Sequence, residues 1–326
     1  MRSLVLFLIA VLCVGQVKAQ DPEFTQFYIN TMYMNPAMVG SNPCPTLTSM
    51  YRNQWPTLGA QFVSTTVTYD DYMESLSGGI GVMFMSDKAG PSILSTNGIS
   101  VAYSNHLSLT RNFSIRSALQ ISGYQEYLDG EKFRFNDQID PLNGFVYPTQ
   151  DWTYGGPTSY ASVGAGTVIY SDKLYFGYAA SHLNRPNKSL IFGQSELPIK
   201  HTIHFGAVLP IKKFGTEIFD WSPNIIYRKQ LDAQQINMGV NVNTKTLTGG
   251  IWYRGISFAN RFTDAIIASV GIKLEDFNFM YSYDFTISQI NPYSGGASEV
   301  SLVYKLPCSR KKREKIRPVP CTWYFN

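Results

Sequence analysis

The side chains able to do chemistry in this chain are few and mostly isolated. Histidine occurs four times, at His106, His182, His201 and His204. His201-x-x-His204 does not make a metal pair on a strand, because residues three apart point to opposite faces. A barrel phospholipase needs a Ser–His pair on one face with an orienting Asn, and nothing in the spacing fixes such a pair. There is no phosphate loop, nucleotide fingerprint or calcium loop. Gly78-Gly79-x-Gly81 is followed by no helix that would supply a dipole, so it reads as close strand packing. No cofactor, no metal and no catalytic activity are expected. Arg52, Asp284 and Glu299 are a different case. They sit in strand-like runs of a chain poor in charge, and unpaired charge inside a fold is costly. If all three turn inward, they are expected to form a polar network that fills an interior.

The element that must position Asp284 is written plainly in residues 277–286, FNFMYSYDFT. Phe277, Phe279, Tyr281, Tyr283 and Phe285 alternate with Asn278, Met280, Ser282, Asp284 and Thr286. A period of two means a strand with two unlike faces. Aromatics facing lipid, with Tyr toward the headgroups, and small polar residues facing a lumen satisfy both faces.

Composition supports that environment. Charged residues make up 15 % of the chain, below the roughly 25 % of ordinary soluble domains, while aromatics reach 14 %. The chain opens MRSLVLFLIAVLCVGQVKAQ, with a basic Arg2, an apolar run from Leu4 to Val14 and small residues before Gln20. That is the pattern of a secretory signal peptide over residues 1–19, too short to cross a bilayer as a helix. No apolar stretch long enough for a transmembrane helix follows. One short tail carries +5, more than the whole net charge of +4, because Arg310, Lys311, Lys312, Arg313, Lys315 and Arg317 outnumber Glu314. With Arg2 and Lys18 removed the remaining body is slightly acidic, which argues against nucleic acid as a partner. Cys44, Cys308 and Cys321 survive processing, an odd number from which the sequence does not choose a pair.

From residue 46 to 306 the chain reads as strand after strand. The expected strands are 46–55, 59–70, 77–87, 94–107, 111–125, 159–170, 173–183, 200–211, 220–230, 234–244, 247–256, 264–275, 276–287 and 297–306. Links such as Ser171-Asp172, Lys245-Thr246 and Glu275-Asp276 are short and follow even-numbered strands. The links 126–158, 184–199 and 288–296 are long and follow odd-numbered ones; 212–219 is somewhat long for its side and 231–233 short. Short turns at one end and long loops at the other predict an all-β fold: a transmembrane antiparallel β-barrel of about 14 strands in the outer membrane, termini in the periplasm.

Several local patterns add up to a resemblance. QDPEFTQFYINTMYMNPAMVG, with Gln20, Asp21, Pro22, Phe24, Gln26, Phe27, Asn35, Pro36, Ala37 and Gly40, is similar to the opening signature of the PorP/SprF family of type IX secretion outer-membrane proteins. YRNQWPTLG supplies an Arg-x-Gln-Trp element at Arg52, Gln54 and Trp55. GGIGVMFMSDKAG ends in Asp-x-x-Gly at Asp87 and Gly90. HLNRP follows at 182–186, and YSYDFTISQINPYSGGASEVSLVYKL comes near the end, with Ala297-Ser298 where the family has Ser-His before Glu299. The resemblance implies a non-enzymatic barrel that works in protein export and gliding. It implies as partners the type IX secretion proteins and a secreted adhesin recognised through its C-terminal domain.

Four segments are expected: the signal peptide 1–19, an N-terminal segment 20–45 packed into the periplasmic mouth, the barrel 46–306, and a basic periplasmic tail 307–326. Two stretches are candidate partner surfaces. In the long loop 126–158 these are Phe145, Tyr147, Trp152 and Tyr154; in the tail they are Arg310, Lys311, Lys312, Arg313 and Trp323. The alternative function is a FadL-like or porin-type transporter of small solutes, which requires an open lumen.

Overall fold

The computed structural model describes residues 21–42, 44–59, 61–90, 93–130, 133, 135–150, 156–190, 193–214, 217–255, 263–288, 295–308 and 319–320. Alternating residues make strands here because one face of each has lipid and the other a polar interior to satisfy. The strands are β1 (Thr46–Gln54), β2 (Phe62–Met73), β3 (Gly78–Ala89), β4 (Leu94–Ser108) and β5 (Ser114–Leu128). The hairpin β6 (Ile139–Asp140) and β7 (Gly144–Phe145) interrupts the series. It resumes with β8 (Thr158–Tyr170), β9 (Leu174–Ser181), β10 (Lys200–Ala207), β11 (Leu209–Phe214), β12 (Glu217–Gln230) and β13 (Ala233–Asn243). The last four are β14 (Leu247–Gly255), β15 (Thr263–Lys273), β16 (Phe277–Thr286) and β17 (Ala297–Lys305).

Successive strands pair antiparallel in one 15-stranded sheet, and two contacts close it. β1 pairs with β17 from Thr46↔Lys305 to Gln54↔Ala297. β10 pairs with β12, and β11 continues along the same edge of β12 after a break at Val208. β10 and β11 therefore act as one stave of a closed barrel of fourteen. Two links differ in length from the sequence reading. β11 runs to Phe214 and β12 starts at Glu217, so the expected link 212–219 shrinks to two residues and no longer breaks the alternation of short and long. The loop 129–157 carries the small hairpin β6–β7, which is too short to show a period in sequence.

The faces fall as the alternation requires. On β16, Phe277, Phe279, Tyr281 and Phe285 are exposed while Asn278, Met280, Ser282, Asp284 and Thr286 are buried. A ring of fourteen strands lies between small barrels whose side chains fill the interior and larger ones that keep a channel. This one is filled by the segment of chain that precedes β1. Residues 24–30 and 34–41 are all buried, inside the barrel. Within that segment Asn30 caps the short helix α1 (Thr31–Met34) by accepting from Tyr33 N at 3.3 Å. Pro36 then opens a 3-10 turn, Pro36–Met38, whose first free N–H, on Ala37, donates to the Asn35 side chain at 3.0 Å.

Candidate functional site: the plugged lumen and its charged seam

The N-terminal segment runs the length of the lumen rather than resting in one mouth. Asp21 lies at the long-loop end, its carboxylate 2.6 Å from Lys200 Nζ at the start of β10. At the short-turn end Gly40 N donates to Asp70 Oδ2 at 2.9 Å, and Cys44 is disulfide-bonded to Cys308, just past β17. Of Cys44, Cys308 and Cys321, the first two are therefore the pair that joins.

Halfway down, aromatic packing holds the plug. Tyr28 stacks on Trp252 at 5.0 Å and Phe27 meets the same ring edge-on at 5.1 Å. Lower still, Asn35 Nδ2 lies 3.1 Å from the Thr167 carbonyl, 3.3 Å from that of Tyr178 and 2.9 Å from His204 Nε2. A Cβ on Gly166 would lie 2.1 Å from Asn35 Oδ1, and one on Gly79 would lie 2.3 Å from the Val39 carbonyl oxygen. The glycines of GGIG thus admit the plug backbone, a close approach of the kind their sequence suggested. Arg116, fully buried, donates to the Ala37 and Val39 carbonyls at 3.1 and 2.6 Å.

Arg52, Asp284 and Glu299 meet in one buried cluster near the long-loop end. Arg52 Nη2 lies 2.8 Å from Asp284 Oδ2 and Nη1 lies 3.1 Å from Glu299 Oε2. Arg254, which carried no signal in the sequence, completes it. Its Nη2 is 2.9 Å from Asp284 and its Nε donates to Asp264 at 2.6 Å. The plug enters the cluster through its backbone: Thr25 N and Gln26 N each donate to Glu299 at 2.8 Å. Thr25 Oγ1 also donates to Asp284 at 2.8 Å. Two guanidinium groups against two fully buried carboxylates, every carboxylate oxygen bonded, is the condition under which buried charge is tolerated.

A second polar group joins two distant stretches, QDP and HLNRP. His182 Nε2 lies 2.9 Å from Asp21 Oδ2, and its Nδ1 lies 2.8 Å from Ser162 Oγ. The Ser–His pair that the sequence left unplaced therefore exists, with an Asp behind it. Asp21 is shared with Lys200, and Ser162 and His182 are both buried, so the set acts as an anchor for the plug's end. Glu23 pairs with Arg228, whose guanidinium sits 5.6 Å above the Phe27 ring. The other histidines separate as strand geometry dictates. His204 faces the plug, and His201 is on the outer wall with its Nδ1 2.8 Å from Tyr178 Oη.

Above the plug a cavity of about 640 Å³ is lined by Tyr124, Tyr160, His182, Lys200, Arg228 and Glu126 among others. In the loop hairpin β6–β7, Phe145 and Tyr147 are exposed and Tyr147 Oη donates to Asp140 at 2.9 Å. Trp152, Tyr154, Arg310, Lys311, Lys312, Arg313 and Trp323 lie outside the described residues. Between Arg317 and Trp323 the tail is described at Val319 and Pro320, and Val319 is fully buried in the same apolar cluster as Phe24, Phe27 and Met38.

A closed barrel with an outward apolar face and an interior occupied by the segment that precedes its first strand defines an outer-membrane β-barrel protein. Residues 16–304 match the family described as type IX secretion system membrane protein PorP/SprF, and the chain belongs to that family. It is thus an outer-membrane component of type IX secretion. Among curated proteins none matches. Among solved structures it is similar to the Acinetobacter baumannii outer membrane protein Omp33, at 7% identity over 82% of this chain and 100% of that one, TM-score 0.46. The Ralstonia pickettii toluene transporter TbuX is 8% identical over 86% of this chain and 94% of its own, TM-score 0.45. A Pseudomonas aeruginosa FadL homologue is 12% identical over 87% and 95%, TM-score 0.44.

Proposed function

We propose that this barrel is a non-enzymatic binding component of type IX secretion. It engages translocon or periplasmic ring proteins at its short-turn end and holds a secreted adhesin, through that adhesin's C-terminal domain, at its long-loop end. In this reading residues 1–19 are removed as a signal peptide and the strands begin and end at the periplasmic face; the expectation of two periplasmic termini then holds for the C-terminal side alone, because Asp21 lies in the lumen at the long-loop end. The observation that supports it is the filled lumen: a transporter needs a path, and here the plug is bonded to the wall from Asp21 to the Cys44–Cys308 bridge.

Two surfaces suit the two ends. The hairpin in loop 129–157 displays Ile139, Leu142, Phe145, Val146 and Tyr147, all exposed, with Leu142 at 94%. An apolar surface of this kind is what a protein partner covers. At the other end the sequence between the bridged Cys308 and the buried Val319 is strongly basic from Arg310 to Arg317, a composition suited to an acidic partner.

The test is affinity purification of the natively expressed protein in mild detergent, with mass spectrometry of what accompanies it. Expected are type IX proteins and a large surface adhesin. The adhesin should be lost when 136–150 is deleted, and the translocon proteins when the basic residues of 310–317 are neutralised. A solitary barrel that conducts ions in planar bilayers would instead establish the transporter.

A further inference from the structure

The three residues at the start of the plug, Asp21-Pro22-Glu23, are held differently from the rest. They are half-buried, whereas Phe24 through Asn30 are fully buried. The wall groups that hold them lie deeper than they do. The side chains of His182, Lys200 and Arg228 are 5%, 8% and 7% exposed, while those of Asp21 and Glu23 are 15% and 27% exposed. Lys200 on β10 and Arg228 on β12 are therefore neutralised by anions carried on what becomes the chain end once residues 1–19 are removed, and His182 in the β9–β10 link bonds the same Asp21 carboxylate. Chain ends open at little free-energy cost, whereas a buried cation left without a partner is strongly disfavoured. The recess would demand a replacement anion at once. Its other contacts are peptide-like: Gln230 Oε1 lies 3.5 Å from Asp21 N, and Tyr33 Oη donates to the Pro22 carbonyl at 2.6 Å. The recess also forms part of the 640 Å³ cavity, a volume within the range of ligand sites, so an incoming chain has room beside the resident one.

We propose that the recess formed by His182, Lys200 and Arg228 is a binding site for an acidic peptide segment, occupied in cis by Asp21-Pro22-Glu23. The wall supplies the recognition, and the chain's own end is a displaceable occupant. A segment bearing two carboxylates one residue apart takes its place from the long-loop side. The site rests on the removal of residues 1–19, which the intact mass of the purified protein reads separately.

The experiment uses the full-length barrel in detergent and two fluorescein-labelled peptides, Gln-Asp-Pro-Glu-Phe and its neutral counterpart Gln-Asn-Pro-Gln-Phe, with anisotropy as the readout. D21N/E23Q weakens the occupant while leaving the recess intact. It is expected to bind the acidic peptide at least about tenfold more tightly than wild type does, since the competent state is no longer filled. Adding K200Q and R228Q should abolish that binding, and the neutral peptide should bind neither protein. Heat-modifiable mobility on gels reports folding. If D21N/E23Q fails that check, D21N, which keeps the Glu23–Arg228 pair, takes its place. Wild type titrated to high peptide concentration gives a reading that needs no variant, in which the acidic peptide must outbind the neutral one. Equal binding of the two peptides, equal binding by wild type and the occupant variant, or binding that survives K200Q/R228Q overturns the proposal.

Discussion

Arg52 and Glu299 stand directly opposite one another across β1 and β17, the pair of strands that joins the two ends of the barrel sequence, with Nη1 3.1 Å from Oε2. The same carboxylate accepts from two backbone N–H groups of the plug. Barrel closure and plug seating therefore share one side chain. Glu299→Ala leaves Arg52 with Asp284 as its remaining carboxylate and two plug N–H groups unmet. Removing one partner of a buried pair costs about 3–5 kcal/mol, so the variant should unfold at clearly lower denaturant. Arg52→Lys should fall part of the way, because an ammonium cannot span both carboxylates as the guanidinium fork does. A Lys variant as stable as wild type would show that the bidentate geometry contributes nothing.

Gly79 makes a sharper test of whether the plug is integral to the fold. A Cβ there would lie 2.3 Å from the Val39 carbonyl oxygen and 2.7 Å from Gly40 Cα, both backbone atoms that no rotamer change can move. Gly79→Ala should cost at least the roughly 1–3 kcal/mol typical of overpacking and push the plug off the wall. Gly59→Ala, with nothing within 4 Å of the added methyl, should be silent. The measurement is the thermal midpoint of heat-modifiable mobility, with protease cleavage between 24 and 41 as the report on plug seating.

Much of the barrel was legible because its rule is local. Period-two alternation on 277–286 and 236–243 states which face is which without knowledge of neighbours, and turn length carries the polarity. Arg52, Asp284 and Glu299 stood out because charge is rare in this chain. The plug was harder to read. FTQFYINTMYM has no strand period, and what fixes it in the lumen are single hydrogen bonds from residues hundreds of positions away, such as Thr25 to Glu299 and Asn35 to His204. Arg254 looked like any strand-end arginine. The Asp21–His182–Ser162 set required two loops and a strand to converge, and no spacing in one chain encodes that. Val319 was hidden by the basic run before it, which reads as a solvated tail.

The Cys44–Cys308 bridge closes a sequence separation of 264 residues, tying the foot of the plug to the end of β17. On the chain-entropy account a loop that long contributes about 5 kcal/mol, mostly by restricting the unfolded state. Cys44→Ser and Cys308→Ser should therefore lower stability alike, and the double variant should cost no more than either one. Equilibrium unfolding with and without reductant checks this: reductant should bring wild type down to the variants and leave the variants unmoved. If the double variant is additive, the cysteines act through separate packing and not through their bond.

The β6–β7 hairpin should respond to pH through Asp140. Its carboxyl accepts from Leu142 N at 2.9 Å, Asn143 N at 2.8 Å and Tyr147 Oη at 2.9 Å. The backbone N–H of Leu142, then that of Asn143 and the Tyr147 hydroxyl, hold it below the usual carboxylate range. A group whose folded pKa is depressed stabilises its structure above the unfolded value, about 3.9, and that contribution fades as pH falls through the folded value. The turn should thus be indifferent to pH from 7 to about 5 and open only below about 4. Asp140→Ala should open it at every pH, exposing amides 142–147 to hydrogen exchange while the barrel strands stay protected. Because Leu142, Phe145 and Tyr147 are displayed only while this turn holds, the same variant should weaken adhesin recovery without altering heat-modifiable mobility. Undiminished recovery from a variant whose hairpin exchanges freely would move the partner surface away from this loop.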